Sequence, residues 1–197
     1  MNPTAPSPGG ASPALAAFLG GIARRALVLA ELQCGDAARG DAAAMAALPE
    51  FAAAASSQPM ARWPRLFWSG LLGQPGLRPA GEARWPVGFA SLAGVGPGAR
   101  AALLLWLVAG LGEEEAAAAL GVAVPAWRLA LQRAAPHDAQ GQLDAGAWRA
   151  LETEVRDALR AVSPGRLAAW ERASETVVPG VAPRPAAAAQ WPRPAAV

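Results

Sequence analysis

Few side chains in this 197-residue sequence are of the types that carry out reactions. It holds one cysteine, Cys34, and one histidine, His137. No CxxC spacing or His–Cys motif joins them, so neither a metal site nor a nucleophile–base dyad is expected. Cys34 lies in an apolar run and reads as a small core residue. Glu113, Glu114 and Glu115 stand together, but no base or metal ligand accompanies them for acid–base work. At the start of a helix their charge is instead favoured by the backbone dipole. No constellation points to an enzyme, a cofactor or a small-molecule substrate. The most definite chemistry belongs to Arg128, Gln132 and Arg133. Arginine pairs with guanine edges or phosphate and glutamine with adenine, and these spacings put all three on the outward side of one helix.

Such side chains need a short helix held at a fixed angle, and residues 98–135 supply the pattern. Arg100 to Ala109 reads as a first helix, with Leu103, Leu104, Leu107 and Leu111 on its apolar side. Gly110-Leu111-Gly112 gives a tight exit. Glu113 to Leu120 is a second helix, whose Ala116 and Ala119 permit close approach. Gly121 can take the left-handed conformation of a turn. Pro125 fits the first turn of a third helix that runs to Ala134, with Trp127 and Leu131 inward. Two short helices around a glycine turn, the second with an outward polar face, form a helix-turn-helix.

The order of an Arg- and Leu-rich helix, Gly-Leu, an acidic Glu-Ala-Ala stretch, Leu-Gly-Val-x-Val and x-x-Arg-x-x-Leu-x-Arg-Ala is similar to the fourth conserved region of bacterial sigma factors, especially the short extracytoplasmic-function group. The resemblance covers about residues 92–135. It implies a recognition helix at Pro125 to Ala134 whose DNA-facing residues are Ala126, Arg128, Leu129, Gln132 and Arg133. It also implies promoter DNA and the RNA polymerase core as partners, with an anti-sigma factor as a possible third. The pattern departs from the family at Ala123, where a Ser or Thr cap is usual, and at Leu129 and Ala130, where a polar and a basic residue are usual. Each lost phosphate contact weakens DNA binding and flattens its salt dependence.

Composition sets the frame around this segment. Apolar residues make up 53%, but many are Ala, so a core must rest on Leu, Val, Phe and the eight Trp. Scarce β-branched residues and absent Tyr favour an all-α fold. All 17 basic residues are Arg, yet the net charge is only +2, so DNA binding would need a local patch. No signal peptide is read at the N-terminus, and the longest apolar run, Ala101 to Leu111, is short of the roughly 20 residues that span a bilayer. A cytoplasmic protein without membrane insertion is expected.

Two small helical domains are expected. Residues 1–12 read as a disordered arm. A domain over 13–72 begins with Ser12 as cap and Pro13 in first position. Its first helix carries Leu15, Phe18, Leu19, Ile22, Ala26 and Leu29, with Arg24 and Arg25 on or beside the polar face. Asp36 or Asp41 caps a second helix through Met45 to Leu48; Pro49 interrupts it or starts another turn, and Phe51 to Ala55 continues as helix until Ser56-Ser57-Gln58-Pro59 breaks it. A third, near Met60 to Leu72, bears Trp63, Phe67 and Trp68. This half resembles the second sigma region dimly: those aromatics would be relics of promoter melting, or core. Residues 73–96, rich in Gly and Pro, read as a linker with a short helix near Val87 to Leu92. Residues 97–177 hold the helix-turn-helix and two further helices. The first has Trp148, Leu151, Val155, Leu159 and Val162 on one stripe. The second opens at Ser163-Pro164 and carries Leu167, Trp170 and Val177. Residues 178–197 read as a disordered tail. Two functions remain open: a sigma-like regulator binding promoter DNA, or a degenerate sigma fold acting through protein contacts alone.

Overall fold

A computed structural model describes residues 11–78 and 83–178, the side chains of Ala11 and Ser12 excepted. The fold is all-α: eight α-helices and three short 3-10 turns, with no strand among the described residues. The helices are α1 (Ala11–Cys34), α2 (Ala37–Ala55), α3 (Trp63–Leu72), α4 (Pro97–Leu107), α5 (Glu113–Leu120), α6 (Val124–Ala134), α7 (Ala145–Ala161) and α8 (Pro164–Val177). Residues 1–10 of the expected arm and 179–197 of the expected tail lie outside the described residues; Ser12, expected as the cap, lies within α1 instead. Pro13 falls within the first turn of α1, which opens at Ala11.

α1 and α2 form an antiparallel hairpin. Asp36 closes the turn by accepting the Arg39 N–H at 2.8 Å, so it is Asp36, not Asp41, that caps α2. Gly40 sets the separation of the two helices. A Cβ there would lie 2.6 Å from the Glu31 backbone nitrogen and 2.8 Å from the Ala30 carbonyl carbon. Of the two readings at Pro49, the interruption does not occur: α2 runs through it to Ala55 and stops at Ser56, where the break was expected. Pro49 is exposed, whereas Leu48 and Phe51 on either side are buried. Packing of those neighbours outweighs one lost N–H bond.

Phe18, Phe51, Trp63, Phe67, Trp68 and Trp170 form one aromatic cluster, with ring centroids 5.0–6.3 Å apart and mostly edge-to-face. Trp63, Phe67 and Trp68 are all buried, so of the two readings of these aromatics the core reading describes them. Trp170 belongs to α8, more than a hundred residues further along. It packs on Phe67 and donates its indole N–H to the Leu19 carbonyl at 3.1 Å.

Contacts cross the expected linker at several points. α1 touches α4, α7 and α8; α2 touches α8; α3 touches α5. Within 73–96 the chain makes 3-10 turns at Pro75–Leu77 and Ala90–Gly94, and it buries Leu77, Phe89 and Leu92 in the same apolar core.

Two arginines tie distant segments together. Arg100 of α4 is 2% exposed. It donates to the carbonyls of Leu92 (3.0 Å), Gln33 (2.7 Å) and Val95 (2.6 Å), and its guanidinium lies 4.6 Å from the Trp85 ring centre. Burial holds it below the usual arginine range. Among the described residues no carboxylate pairs with this charge; three carbonyl dipoles and an aromatic face surround it. Arg166 of α8 reaches the α1–α2 hairpin. It binds both oxygens of Asp41 (2.6 and 2.8 Å) and one of Glu31 (2.7 Å). Burial pulls its basicity down, but the hydrogen bonds to Asp41 and Glu31 outweigh this and hold it above the ordinary value.

Candidate nucleic-acid interface

α4, α5 and α6 build the predicted three-helix unit, and each joint has a local cause. Gly121 ends α5 at φ +68°. The Val122 N–H reaches the Ala117 carbonyl at 3.0 Å and the Gly121 N–H reaches that of Ala118 at 3.2 Å. These two bonds are the Schellman closure, which needs a left-handed residue at this point. α6 then starts from Ala123, which supplies no side-chain cap. Its carbonyl accepts the N–H groups of Ala126 and Trp127 instead.

The inner side of α6 is held by Trp127 and Ala134, both buried, and by half-buried Leu131. Trp127 packs against Trp106 of α4 with ring centres 5.7 Å apart and planes tilted by 47°. The opposite side carries Ala126, Arg128, Leu129, Gln132 and Arg133, and all five are exposed. The sequence thus places the outward face correctly as a surface. Its chemistry differs from the expected one in two respects.

Arg128 is already engaged. Its guanidinium grips the Glu113 carboxylate through two hydrogen bonds, one from Nε at 2.8 Å and one from Nη2. That hydrogen bond holds Glu113 below the usual carboxylate range and Arg128 above the usual arginine range. Glu113 therefore does more than complement the helix dipole; it occupies one of the three predicted DNA-reading side chains. Glu114 and Glu115 are exposed on the same first turn of α5. Around this end of the interface three glutamates stand near one paired arginine.

Gln132 and Arg133 sit at the opposite end of α6. Gln132 borders a groove of about 570 Å³ together with Trp106, Trp148, His137 and Leu143. Arg133 borders a second groove of about 450 Å³, opposite Glu154 of α7. Arg133 makes no ion pair among the described residues. Apolar side chains complete the surface, with Leu129 47% and Val122 43% exposed. A duplex meeting this face would encounter more hydrocarbon and less positive charge than the sequence pattern suggests.

The other candidates resolve as structural parts. Arg24 donates to the carbonyls of Leu159 and Arg160 at the C-terminus of α7, and Arg25 to that of Ala109 after α4. Cys34 is buried, its thiol donates to the Asp36 carbonyl at 3.2 Å, and burial pushes its pKa up. His137 pairs through its backbone with Leu143 in a single bridge. Among the described residues no cluster of His, Cys, Asp and Glu could hold a metal ion, and no helix is long and apolar enough to cross a membrane. Sequence reasoning missed Arg100, Arg166 and the Glu31–Asp41 pair. Their only signal was charge within otherwise apolar helical stretches.

No protein family, curated protein or solved structure matches this chain.

Proposed function

We propose that this chain is a sigma-factor-like regulator of transcription initiation that acts in the cytoplasm and reads promoter DNA with α6. The single observation carrying this reading is the geometry of α5, Gly121 and α6. A left-handed turn joins two short helices, and the second presents a continuous exposed side containing Ala126, Arg128, Leu129, Gln132 and Arg133. That side has the width and the helical form that enter a major groove. Arg133 would take a phosphate or a guanine, and Arg128 would exchange Glu113 for a phosphate when DNA arrives. Association with the RNA polymerase core, under control of an anti-sigma partner, is part of the same proposal.

Fluorescence anisotropy with promoter-like duplexes at several salt concentrations tests it. Binding should be salt-dependent, and the slope of log K against log salt should fall by about 0.9 for each phosphate contact removed by Arg128→Ala or Arg133→Ala. Equal binding by wild type and the double variant would remove DNA from the proposal.

A second reading has its own support. The engaged Arg128, the neighbouring glutamates and exposed Leu129 and Val122 suit a protein partner better than a duplex. On this reading the helix-turn-helix is a docking surface for polymerase or its regulator. Co-purification with polymerase that is lost in Leu129→Asp, with DNA binding absent, would favour it.

A further inference from the structure

The face between α1 and α8 carries a groove of about 640 Å³, a size typical of small-molecule sites. Its α1 side is Ala16, Gly20 and Gly21, and its apolar α8 side is Leu167, Trp170 and Val178. Trp170 is fixed there by the bond from its indole N–H to the Leu19 carbonyl. Paired glycines inside a helix lower its stability relative to alanine. Here a Cβ on either glycine would meet no atom within 4 Å, so they leave open space that no described residue fills. The groove also has a polar edge. Glu171, Ser174 and Glu175 line it from α8, and their spacing of three and four residues makes them neighbours on one helix face. Ser174 is 9% exposed, and its Oγ has no hydrogen-bond partner among the described residues. A buried hydroxyl in that state is unfavourable, and a polar atom entering the groove would relieve it. Glu171 and Glu175 make no ion pair among the described residues. Arg24 lines the groove as well, but it directs its guanidinium to the carbonyls of Leu159 and Arg160.

We propose that the α1–α8 groove binds a small hydrophobic primary amine, its ammonium held by Glu171, Glu175 and the Ser174 hydroxyl and its hydrocarbon laid over Gly20, Gly21 and Trp170. This inference is independent of what α6 recognises. An ammonium carries three N–H donors and no acceptor. The polar edge of the groove offers three side chains that can accept, two of them carboxylates, and hydrogen bonds between charged groups are the strong ones. Two carboxylates outnumber the Arg24 guanidinium, which is already committed to α7, so the groove favours a cation and disfavours an anion of the same shape. A metal ion does not match, because among the described residues no cluster of His, Cys, Asp and Glu could hold one. The remainder of the lining is apolar, so the occupant must also bring a hydrocarbon body that leaves water on binding. The open space above Gly20 and Gly21 receives that body without displacing any described side chain.

The test titrates the full chain with n-octylamine and follows methyl NMR signals. Those of Leu167 and Val178 should shift saturably, while those of Leu129 and Val122 on the α6 side of the molecule do not. The n-octanoate anion, equal in tail length and opposite in charge, should bind about tenfold more weakly or worse. Glu171→Gln with Glu175→Gln should weaken octylamine about tenfold and remove its advantage over octanoate. Ser174→Ala separates a ligand contact from a structural role. It removes an unpaired buried hydroxyl, so the Tm of the free protein should hold or rise, while octylamine affinity falls about threefold or more. Gly21→Leu fills the open space and should abolish binding with the Tm retained, since the added side chain starts where no atom lies within 4 Å. Four results would overturn the proposal: octanoate binding as tightly as octylamine, octylamine affinity unchanged in the glutamine double variant, octylamine affinity unchanged in a folded Gly21→Leu, or no saturable shift at millimolar amine.

Discussion

Arg166→Met should loosen the attachment of α8 to the α1–α2 hairpin, and the size of the effect follows from burial and geometry. The arginine side chain is 23% exposed and its two carboxylate partners are each 17% exposed. Three charged groups are thus largely removed from water and depend on one another. Deleting one member of a fully buried ion pair costs about 3–5 kcal/mol, because the partner's charge is left uncompensated. Partial exposure here lets water return, so we expect about 2–3 kcal/mol. For a chain of this size that corresponds to a fall in Tm of about 4–12 °C. Urea unfolding followed by circular dichroism reads it directly. The triple variant Glu31→Met, Asp41→Leu, Arg166→Met removes all three charges and should return to within about 1 kcal/mol of wild type. Glu31→Met with Asp41→Leu alone, which strands the guanidinium, should be as unstable as Arg166→Met. If Arg166→Met unfolds within about 0.5 kcal/mol of wild type, or if the triple variant is no better than the single one, the coupling between these charges has been misjudged.

Further expectations concern single joints. Glu113→Gln removes one acid from the interface and frees Arg128, so DNA affinity should rise and the salt slope steepen by about 0.9, one additional phosphate contact; an unchanged slope in anisotropy titrations would show that Arg128 does not reach the backbone. The same pair has a pH signature. Glu113 titrates below its ordinary value when folded, so its contribution is present above the unfolded value of about 4.3 and is lost as pH falls through the lower folded value. The Tm gap between wild type and Glu113→Gln should therefore stay constant from pH 5 to 8 and close in stronger acid. Ala123→Ser supplies the cap that α6 lacks and should stabilise by about 0.5–1 kcal/mol in urea unfolding. Gly40→Ala places a Cβ 2.6 Å from the Glu31 nitrogen and should destabilise by about 2–3 kcal/mol, with weakened hydrogen-exchange protection confined at first to α1 and α2.

What could be read in advance divides along a physical line. The α4–α6 unit was legible because its determinants are local. Leucine spacing, glycines at the left-handed positions 110 and 121, and Pro125 in the first turn each act within a few residues. The outward face of α6 was legible for the same reason, since helical spacing alone sorts Trp127 from Arg128. The state of that face was not. Arg128 is held by a carboxylate fifteen positions earlier, and Glu113 already had a sufficient local explanation at its helix terminus. The interruption expected at Pro49 failed in the opposite direction: a sound local rule lost to the burial of Leu48 and Phe51. Arg100 was invisible because its partners are main-chain carbonyls, one of them 67 positions away, and Arg166 because its acids lie 125 and 135 positions away, and periodicity carries no information about such pairings.

The placement of arginine through the whole molecule bears on the function of α6. With no lysine present, every fixed positive side-chain charge is a planar guanidinium able to serve several acceptors at once. Arg24, Arg25, Arg39 and Arg100 all donate to main-chain carbonyls that end or connect helices, and Arg166 closes the path between the two ends of the chain. Each of these guanidiniums keeps its charge but has donors committed to holding helices together, which leaves fewer donors to grip a phosphate directly. If α6 reads DNA, it does so with Arg133 and whatever Glu113 releases of Arg128, which makes the Glu113→Gln titration the measurement on which the two functional readings diverge. A duplex reader should gain DNA affinity from that substitution, whereas on the protein-docking reading no salt-dependent DNA binding should appear with or without it.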